Sequence, residues 1–269
     1  MTTEWEMPQT ERTYLRELAA RQAEIAALPV MEQRRQMWLD LNDARPGARP
    51  PVIIETWTFD RDFMPPDVFR CESSTGRGIE MQLLRNLRNH ELIDDDKVIP
   101  DTFDIGWFAA IDEMGVALER TSANDADGVA AGFAFKHPIK NLKEDLALLQ
   151  PAVCHVDREQ TAAWQAFVED LFDGLLTVRF GTGPMGSTML TERVIELMGM
   201  EAFFLAMFDS PDEVHTLMAF LRDNALRVMR WSESEGLLRL NNGDQSSFGS
   251  SYNFTTRLPS PWPTTSSPN

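Results

Sequence analysis

A polar run at residues 241–247, NNGDQSS, combines side chains that commonly bind small molecules. It brings amides, a carboxylate and hydroxyls directly after the largely apolar stretch 237–240, LLRL. Asn, Gly and Asp also form ordinary turns, so a turn that binds nothing is the competing interpretation. We predict that Asn241, Asn242 and Asp244 bind a substrate.

Two acidic residues stand in or beside apolar runs. Asp104 lies inside residues 98–108, VIPDTFDIGWF, and Glu55 lies toward the end of residues 52–59, VIIETWTF. A carboxylate is costly to bury unless it is paired or used in a site, so a structural hydrogen bond is the alternative for Asp104. We predict catalytic roles for Asp104 and Glu55, and substrate binding for Trp57.

Three glycines follow the β-favouring run 175–180, LLTVRF, at once. Gly181, Gly183 and Gly186 would let a ligand approach the backbone closely, and we predict that Gly181 and Gly183 contact the substrate. Their G-x-G-x-x-G spacing also occurs in dinucleotide-binding loops. No acidic residue ends a following strand at the distance that such a loop requires, so the dinucleotide interpretation is the weaker one.

These residues would be positioned by a parallel sheet. Residues 175–180 and 237–240 are predicted strands, and a helix with an apolar face begins between them at Ser210-Pro211-Asp212-Glu213. Strand, helix and strand in that order indicate a parallel crossover, whose ligand site lies at the carboxyl ends of the strands. Residues 52–59 and 102–107 are predicted to be earlier strands of the same sheet.

Helices are predicted on either side of these strands. Two lie within residues 8–43, and others cover residues 78–92, 143–149 and 158–174, while residues 132–139 contain a short strand. The last fifteen residues carry four prolines and no apolar periodicity, so residues 255–269 are expected to form a disordered tail.

Composition limits the classes of partner. The chain has 269 residues and a net charge of −17, and an acidic surface repels phosphate backbones and anionic lipids. We therefore expect no nucleic-acid or membrane partner and a cytoplasmic location. Cys71 and Cys154 are the only cysteines and show no zinc-type spacing, so neither a disulfide framework nor a bound metal is expected.

Four short motifs, in order, resemble the uroporphyrinogen decarboxylase superfamily. They are Pro51-Val52, Phe103-Asp104-Ile105, the turn from Phe180 to Pro184, and residues 235–247, EGLLRLNNGDQSS; residues 198–221 also resemble the family's helix pair. The resemblance covers roughly residues 48–252. It implies a TIM-barrel-like α/β fold in which residues 1–47 are a helical extension and residues 48–254 form the first half of a barrel that is incomplete and C-terminally truncated.

The family contains a decarboxylase and zinc-dependent methyltransferases that act with methylated corrinoid proteins. Residues 55–61, ETWTFDR, do not match the arginine-rich motif that handles carboxylates in the decarboxylase. The methyltransferase-like branch is therefore the leading prediction, and it implies a small-molecule substrate, zinc and a corrinoid-protein partner. No residue after Ser247 matches the family's zinc ligands.

Other functions stay open at this point. A non-catalytic fragment or small-molecule binding module is one alternative, and a decarboxylase of a tetrapyrrole-like substrate is another. A half barrel would also leave strand edges unpaired, which predicts either a homodimer or an aggregation-prone chain.

Overall fold

The computed structural model describes residues 5–112, 114–124, 130–184, 188–243, 246–247 and 251–258. The elements, in chain order, are α1 (Gln9–Ala26), α2 (Pro29–Asn42), α3 (Asp60–Phe63), α4 (Ser74–Arg88), β1 (Thr102–Ile105), β2 (Ala109–Ile111), β3 (Glu119–Asn124), β4 (Ala130–Lys136), α5 (Leu142–Asp145), β5 (Cys154–Val156), α6 (Arg158–Phe172), β6 (Thr177–Phe180), α7 (Leu190–Met198), α8 (Met200–Asp209), α9 (Pro211–Ser234), β7 (Ser246–Ser247) and β8 (Ser251–Tyr252). The 3₁₀ turns are Thr56–Phe59, Pro66–Val68 and Leu146–Leu148, and a π-helical turn, Asn89–Ile93, extends α4.

The chain is a mixture of helices and strands in which helix predominates. Its described strands form four two-stranded sheets: β1 with β6, β2 with β5, β3 with β4, and β7 with β8. The β1–β6 pair is parallel and the other three are antiparallel. A mixed α/β chain is thus present, whereas the predicted barrel remains a proposal.

Two compact units divide the chain. Unit 1 comprises Met1–Gly106, Arg158–Thr182 and Arg239–Asn269, and unit 2 comprises Trp107–Asp157 and Gly183–Leu238. None of the helices within the described ranges is long and apolar enough to cross a membrane.

Unit 1 is built on α1, α4 and α6 around the β1–β6 pair. Each helix contributes side chains at three- and four-residue steps, so one stripe of each faces the core. The largest buried side chains of this core are Leu15, Leu18, Leu83, Leu87, Phe103, Leu171 and Phe172. The alternation along β1 buries Phe103 and Ile105, which leaves the side chains of Thr102 and Asp104 half-buried on the opposite face.

Unit 2 has its own core, formed mainly by α7, α9 and the segments around α5. Its most deeply buried residues are Ile139, Val194, Leu197, Leu217, Leu221 and Val228. Gly199 separates α7 from α8. Its φ of +85° favours glycine, and a Cβ there would also lie 3.0 Å from Nε2 of His137.

The helical predictions agree with the structure, and so do the strands at β1, β4 and β6. The predicted strand at residues 52–59 is wrong. Its first half is extended, but the backbone N–H groups of Val52 and Ile54 donate to the carboxylates of Asp96 and Asp95, at 2.8 and 2.7 Å. These carboxylates satisfy donors that a neighbouring strand would otherwise take, and the turn Thr56–Phe59 follows.

The predicted strand at residues 237–240 is also wrong, and with it the crossover from residue 175 to residue 240. The N–H of Leu237 donates to the carbonyl of Ser232 at 2.9 Å, which closes the end of α9. Residues 237–240, all within the described part of the chain, form no strand. The parallel neighbour of β6 is β1 instead.

The start of the predicted tail contacts unit 1. The hydroxyls of Thr255 and Thr256 donate to the carboxylate of Asp43 at 2.6 and 2.5 Å, and Tyr252 and Phe254 are buried beside Trp38. These hydrogen bonds lower the pKa of Asp43. The remainder of the predicted tail, residues 259–269, lies outside the described residues.

The two thiols are expected to differ sharply in reactivity. Cys71 is fully buried, and burial together with the nearby carboxylates of Glu80 and Glu11 raises its pKa to about 12. Cys154 is half-buried. Because the thiolate is the reactive form, a disulfide-exchange reagent at pH 8 should label Cys154 in the native protein and Cys71 only after unfolding. Equal labelling rates for the two residues in native protein would contradict this packing.

Candidate functional site

A cavity of about 300 Å³ opens in unit 1 at the end of β1. It is bounded by the first turns of α4, by β1 and the glycine after it, and by one indole from α6 and one from the N-terminal segment. The lining residues are Trp5, Ser74, Thr75, Gly78, Ile79, Gln82, Phe103, Asp104, Ile105, Gly106 and Trp164. A pocket of this size with few polar groups is typical of small-molecule sites.

The backbone of β1 is held in place by side-chain amides. Gln22 of α1, which is 1% exposed, donates to the carbonyl oxygens of Pro100 and Thr102 at 2.9 and 3.1 Å. Gln82 of α4 donates to the carbonyl of Asp104 at 3.2 Å. A strand fixed from two helices presents its side chains in a constant orientation, which is a requirement for a binding site.

Asp104 is paired with Arg179 across the parallel strands. The two residues are register partners in β1 and β6, and the guanidinium of Arg179 donates to both carboxylate oxygens, with Nη2 to Oδ2 at 3.3 Å. The side chain of Arg179 is 6% exposed, whereas that of Asp104 is 36% exposed. The guanidinium of Arg179 therefore fixes the orientation of the Asp104 carboxylate, while part of the carboxylate surface stays exposed.

The polar end of the cavity is formed by the start of α4. Ser73 caps this helix by accepting a hydrogen bond from the N–H of Gly76 at 3.0 Å, and its own hydroxyl donates to Glu11 at 2.5 Å. A Cβ on Gly76 would lie 2.3 Å from that Glu11 carboxylate, so only glycine fits. The hydroxyls of Ser74 and Thr75 lie in the first turn of the helix and line the cavity.

Aromatic rings form the opposite wall. The indoles of Trp5 and Trp164 are in contact, with ring centroids 4.6 Å apart, and Trp164 stacks on Phe167 at 5.6 Å. Phe103 reaches the cavity from the core, where it contacts Phe172. The site thus joins an aromatic wall to an oriented carboxylate and two hydroxyls.

The structure brings only part of the predicted site together. Asp104 lines the cavity as predicted. Glu55 is half-buried before the Thr56–Phe59 turn, Gly181 donates its N–H to Ile105 at 2.9 Å, and Asn242 is buried, yet none of the three lines this cavity.

The other predicted residues are placed elsewhere or are not described. Gly183 belongs to unit 2, where its φ is +93° and a Cβ added to it would lie only 2.2 Å from the carbonyl oxygen of Leu237, so both its conformation and its packing favour glycine. Asn241 is half-buried in unit 1. The side chain of Trp57 and the whole of Asp244 and Gly186 lie outside the described residues.

Several lining residues are not predicted by the sequence patterns. Ser74 and Thr75 precede the helix that the apolar spacing predicts to begin at Gly78, whereas α4 begins at Ser74. A signal for this earlier start exists, because Ser73 is a favourable residue for a helix cap. Trp164 belongs to an apolar helix face, and Arg179 is a charged residue within a strand of only four residues.

No family model, curated protein or solved structure matches the chain.

The described residues do not fit the zinc site that the resemblance implies. Among them, no group of three or more histidine, cysteine, aspartate or glutamate side chains is placed to hold a metal ion. Cys154 and His155 are neighbours in β5, and successive side chains of a strand point to opposite faces.

We predict that the purified chain does not hold stoichiometric zinc. Elemental analysis after dialysis should find well under one zinc per chain, because tight sites need three or four converging ligands. One zinc per chain that is lost on Cys154→Ala substitution would refute this prediction.

Glu11 supports the polar end of the site and should make its stability depend on pH. Burial raises the pKa of Glu11, but hydrogen bonds from the Ser73 side chain and from the N–H groups of Ser73 and Glu72 outweigh it and lower the pKa overall. A lowered carboxyl pKa stabilises the folded state above the ordinary glutamate value, and this contribution is lost as the pH falls through the lowered pKa.

Replacing Glu11 with glutamine should therefore cost about 2 kcal/mol at pH 7, since hydrogen bonds to a charged group are lost. The cost should begin to shrink below the ordinary glutamate pKa, because Glu11 of the unfolded wild-type chain is protonated there before Glu11 of the folded chain. Urea unfolding at pH 7 and pH 4 measures both, with Glu17→Gln, an exposed position on the same helix, as the control. An equal cost at the two pH values would show that the charge of Glu11 is not the stabilising feature.

Proposed function

We propose that this chain is a relative of the uroporphyrinogen decarboxylase superfamily, in the branch of methyltransferases that act with corrinoid proteins. In this proposal the cavity at the end of β1 binds the small molecule that gives or receives the methyl group. The single observation that carries the proposal is the position of Asp104. It stands in the Phe-Asp-Ile motif that resembles the family, and its carboxylate lines the cavity.

The lining of the cavity favours a small substrate over a tetrapyrrole. A polycarboxylate macrocycle needs arginine or lysine side chains to compensate its charge. Among the described residues that line the cavity, none is arginine or lysine, and the carboxylate of Asp104 is present instead. Arg179 lies beside this carboxylate and already donates to both of its oxygens.

The residues of the site divide into binding and positioning roles. Trp5, Trp164 and Phe103 offer flat apolar surfaces for the carbon skeleton of the substrate. Asp104 offers a negatively charged acceptor that can bind a hydroxyl donor or a cationic methyl donor in the cavity. Arg179 is a positioning residue, because its guanidinium fixes the orientation of that carboxylate without lining the cavity.

A methyl-transfer assay tests the proposal. The protein is mixed with reduced cobalamin, standing in for a corrinoid protein, and with methanol, trimethylamine, glycine betaine, dimethyl sulfide or methoxybenzene in turn. Formation of methylcobalamin is followed by its visible absorbance. At least one donor should react faster with the protein than without it, and Asp104→Asn should reduce this rate by about 100-fold, an effect typical of losing one preorganised electrostatic contact.

Asp101→Asn is the matched control, because Asp101 is an exposed carboxylate three residues earlier in the same segment. Conversion of uroporphyrinogen to a decarboxylated product by this protein would contradict the assignment to the methyltransferase branch.

A non-catalytic binding module is the second candidate. The bidentate Arg179–Asp104 pair favours it, since a carboxylate engaged by arginine on both oxygens can serve structure alone. Saturable binding of a panel compound without any methyl transfer would support this second function.

A further inference from the structure

Helix α8 is apolar around nearly its whole circumference. Its sequence, MEAFFLAMFD, packs on unit 2 through buried Ala206 and half-buried Phe203. The opposite side is also apolar and is exposed to solvent: Met200 53%, Phe204 52%, Leu205 57%, Met207 43% and Phe208 86%. A helix that is hydrophobic on all sides is normally buried on all sides.

These exposed residues form one continuous surface, which we call the α8 face. Met200, Phe204 and Phe208 lie four residues apart and form one row along the helix, and Leu205 and Met207 lie on either side of that row. The side chains of Phe203 and Phe204 are stacked with ring centroids 6.0 Å apart. Scattered apolar residues are common on protein surfaces, but a cluster of this size on ten residues marks an interaction site.

The ends of α8 are fixed, so the α8 face is presented in a constant position. At the start of α8, Gly199 separates this helix from α7. At the end of α8, the N–H of Ser210 donates to the carbonyl of Ala206 at 2.9 Å. Pro211 then begins α9. A rigid surface loses little conformational entropy when it is covered.

We propose that the α8 face is the interface of a homodimer, in which two copies of the chain pair their α8 helices about a two-fold axis. The exposed apolar area of the α8 face is large enough for a second copy of the chain to bind there. Because a fully exposed aromatic side chain presents about 150–250 Å², the five side chains together present roughly 500 Å² per copy. Two copies would cover on the order of 1,000 Å² from these residues alone, which is the threshold for a specific interface.

The charges around the face make a specific prediction about salt. Glu201 lies in the first turn of α8, at an angle between Phe208 and Leu205, Asp209 ends the helix, and each copy carries a net charge of −17. Pairing two such copies brings like charges together, so screening by salt should strengthen the dimer. A basic protein partner at the same face would instead be weakened by salt.

Sedimentation velocity of the full chain between about 0.5 and 50 μM tests the proposal. The wild type should sediment at twice the chain mass at the upper concentrations, with a lower dissociation constant in 0.5 M NaCl than in 0.05 M NaCl. Phe208→Asp should raise the dissociation constant by at least 100-fold, since a central aromatic residue is lost from both copies. Phe208 is 86% exposed, so its replacement leaves the core intact, and far-ultraviolet circular dichroism checks this.

Phe133→Asp is the matched control. It removes another aromatic residue of unit 2 that is 59% exposed, on β4, and adds the same charge, and it should leave the dimer unchanged. A wild-type monomer at 50 μM in both salt concentrations would overturn the proposal. So would association that both substitutions weaken equally, because that result would indicate non-specific contact between apolar surfaces.

Discussion

Replacing Phe172 with alanine is expected to lower the free energy of unfolding by about 3–5 kcal/mol, the usual cost of deleting a buried phenylalanine. Phe172 is fully buried at the end of α6 and contacts Phe103 of β1 with ring centroids 4.9 Å apart. It therefore links the helix that carries Trp164 to the strand that carries Asp104. Removing it leaves a cavity under the candidate site as well as losing apolar contact.

Urea unfolding followed by circular dichroism measures this effect. Phe133→Ala provides the comparison, because an exposed phenylalanine whose surface contacts are with Arg120 and Phe135 should change the free energy of unfolding by only about 1 kcal/mol. If the two substitutions cost the same, the packing of α6 on β1 described above is incorrect.

Asp104→Asn is expected to cost about 2–3 kcal/mol of folding stability in addition to its effect on methyl transfer. Arg179 is 7% exposed, and a buried arginine that loses its charged partner is destabilised by about 3–5 kcal/mol. We expect a smaller cost than this range because the side chain of Asp104 is 36% exposed, so solvent screens the pair.

A double-substitution cycle tests this explanation. If the cost of Asp104→Asn comes from burying the guanidinium charge without this carboxylate, then it should largely disappear in an Arg179→Met background, where no charge is left behind. Asp101→Asn should be neutral in both backgrounds. An unchanged cost in the Arg179→Met background would place the importance of Asp104 outside the ion pair.

Parts of the fold could be predicted because the local pattern and the packing agree. In β1, Phe103 and Ile105 alternate with Asp104, and the strand buries the apolar pair as the pattern indicates. In α9, Pro211 follows Ser210 ahead of an apolar stripe, and the helix starts there. Asp104 could be predicted for the same reason, since a carboxylate within an apolar strand needs a partner or a function.

The wrong predictions concern segments whose outcome depends on distant residues. Val52 and Ile54 have strong β-propensity, but the carboxylates of Asp95 and Asp96, more than forty positions away, take their N–H groups. Strand propensity does not determine whether a backbone N–H group donates to a neighbouring strand or to a side-chain carboxylate. The stretch around Leu237 is equally strand-like in composition, yet its backbone completes the end of α9.

The site was only partly predictable because its walls come from separated regions of the chain. Trp5, Ser74 and Trp164 share no motif, and only the packing of α1, α4 and α6 around β1 brings them to one cavity. Asp104 is predicted from its apolar strand and from the Phe-Asp-Ile motif, and it lines the cavity, whereas Glu55 and Gly181, predicted from a neighbouring apolar run and a glycine-rich turn, do not line it.

The most direct test of the proposed site is whether a small molecule binds at the end of β1. Fluorine NMR of protein labelled with 5-fluorotryptophan reports on each of the seven tryptophans separately, and Trp5→Phe and Trp164→Phe variants assign the two resonances of the cavity. Titration with the five methyl donors should shift both resonances saturably for at least one compound. The shift should persist in Asp101→Asn and vanish in Asp104→Asn, while the remaining tryptophans show that this variant stays folded. If no donor moves the Trp5 and Trp164 resonances, or if Asp104→Asn responds like the wild type, the cavity is not the site.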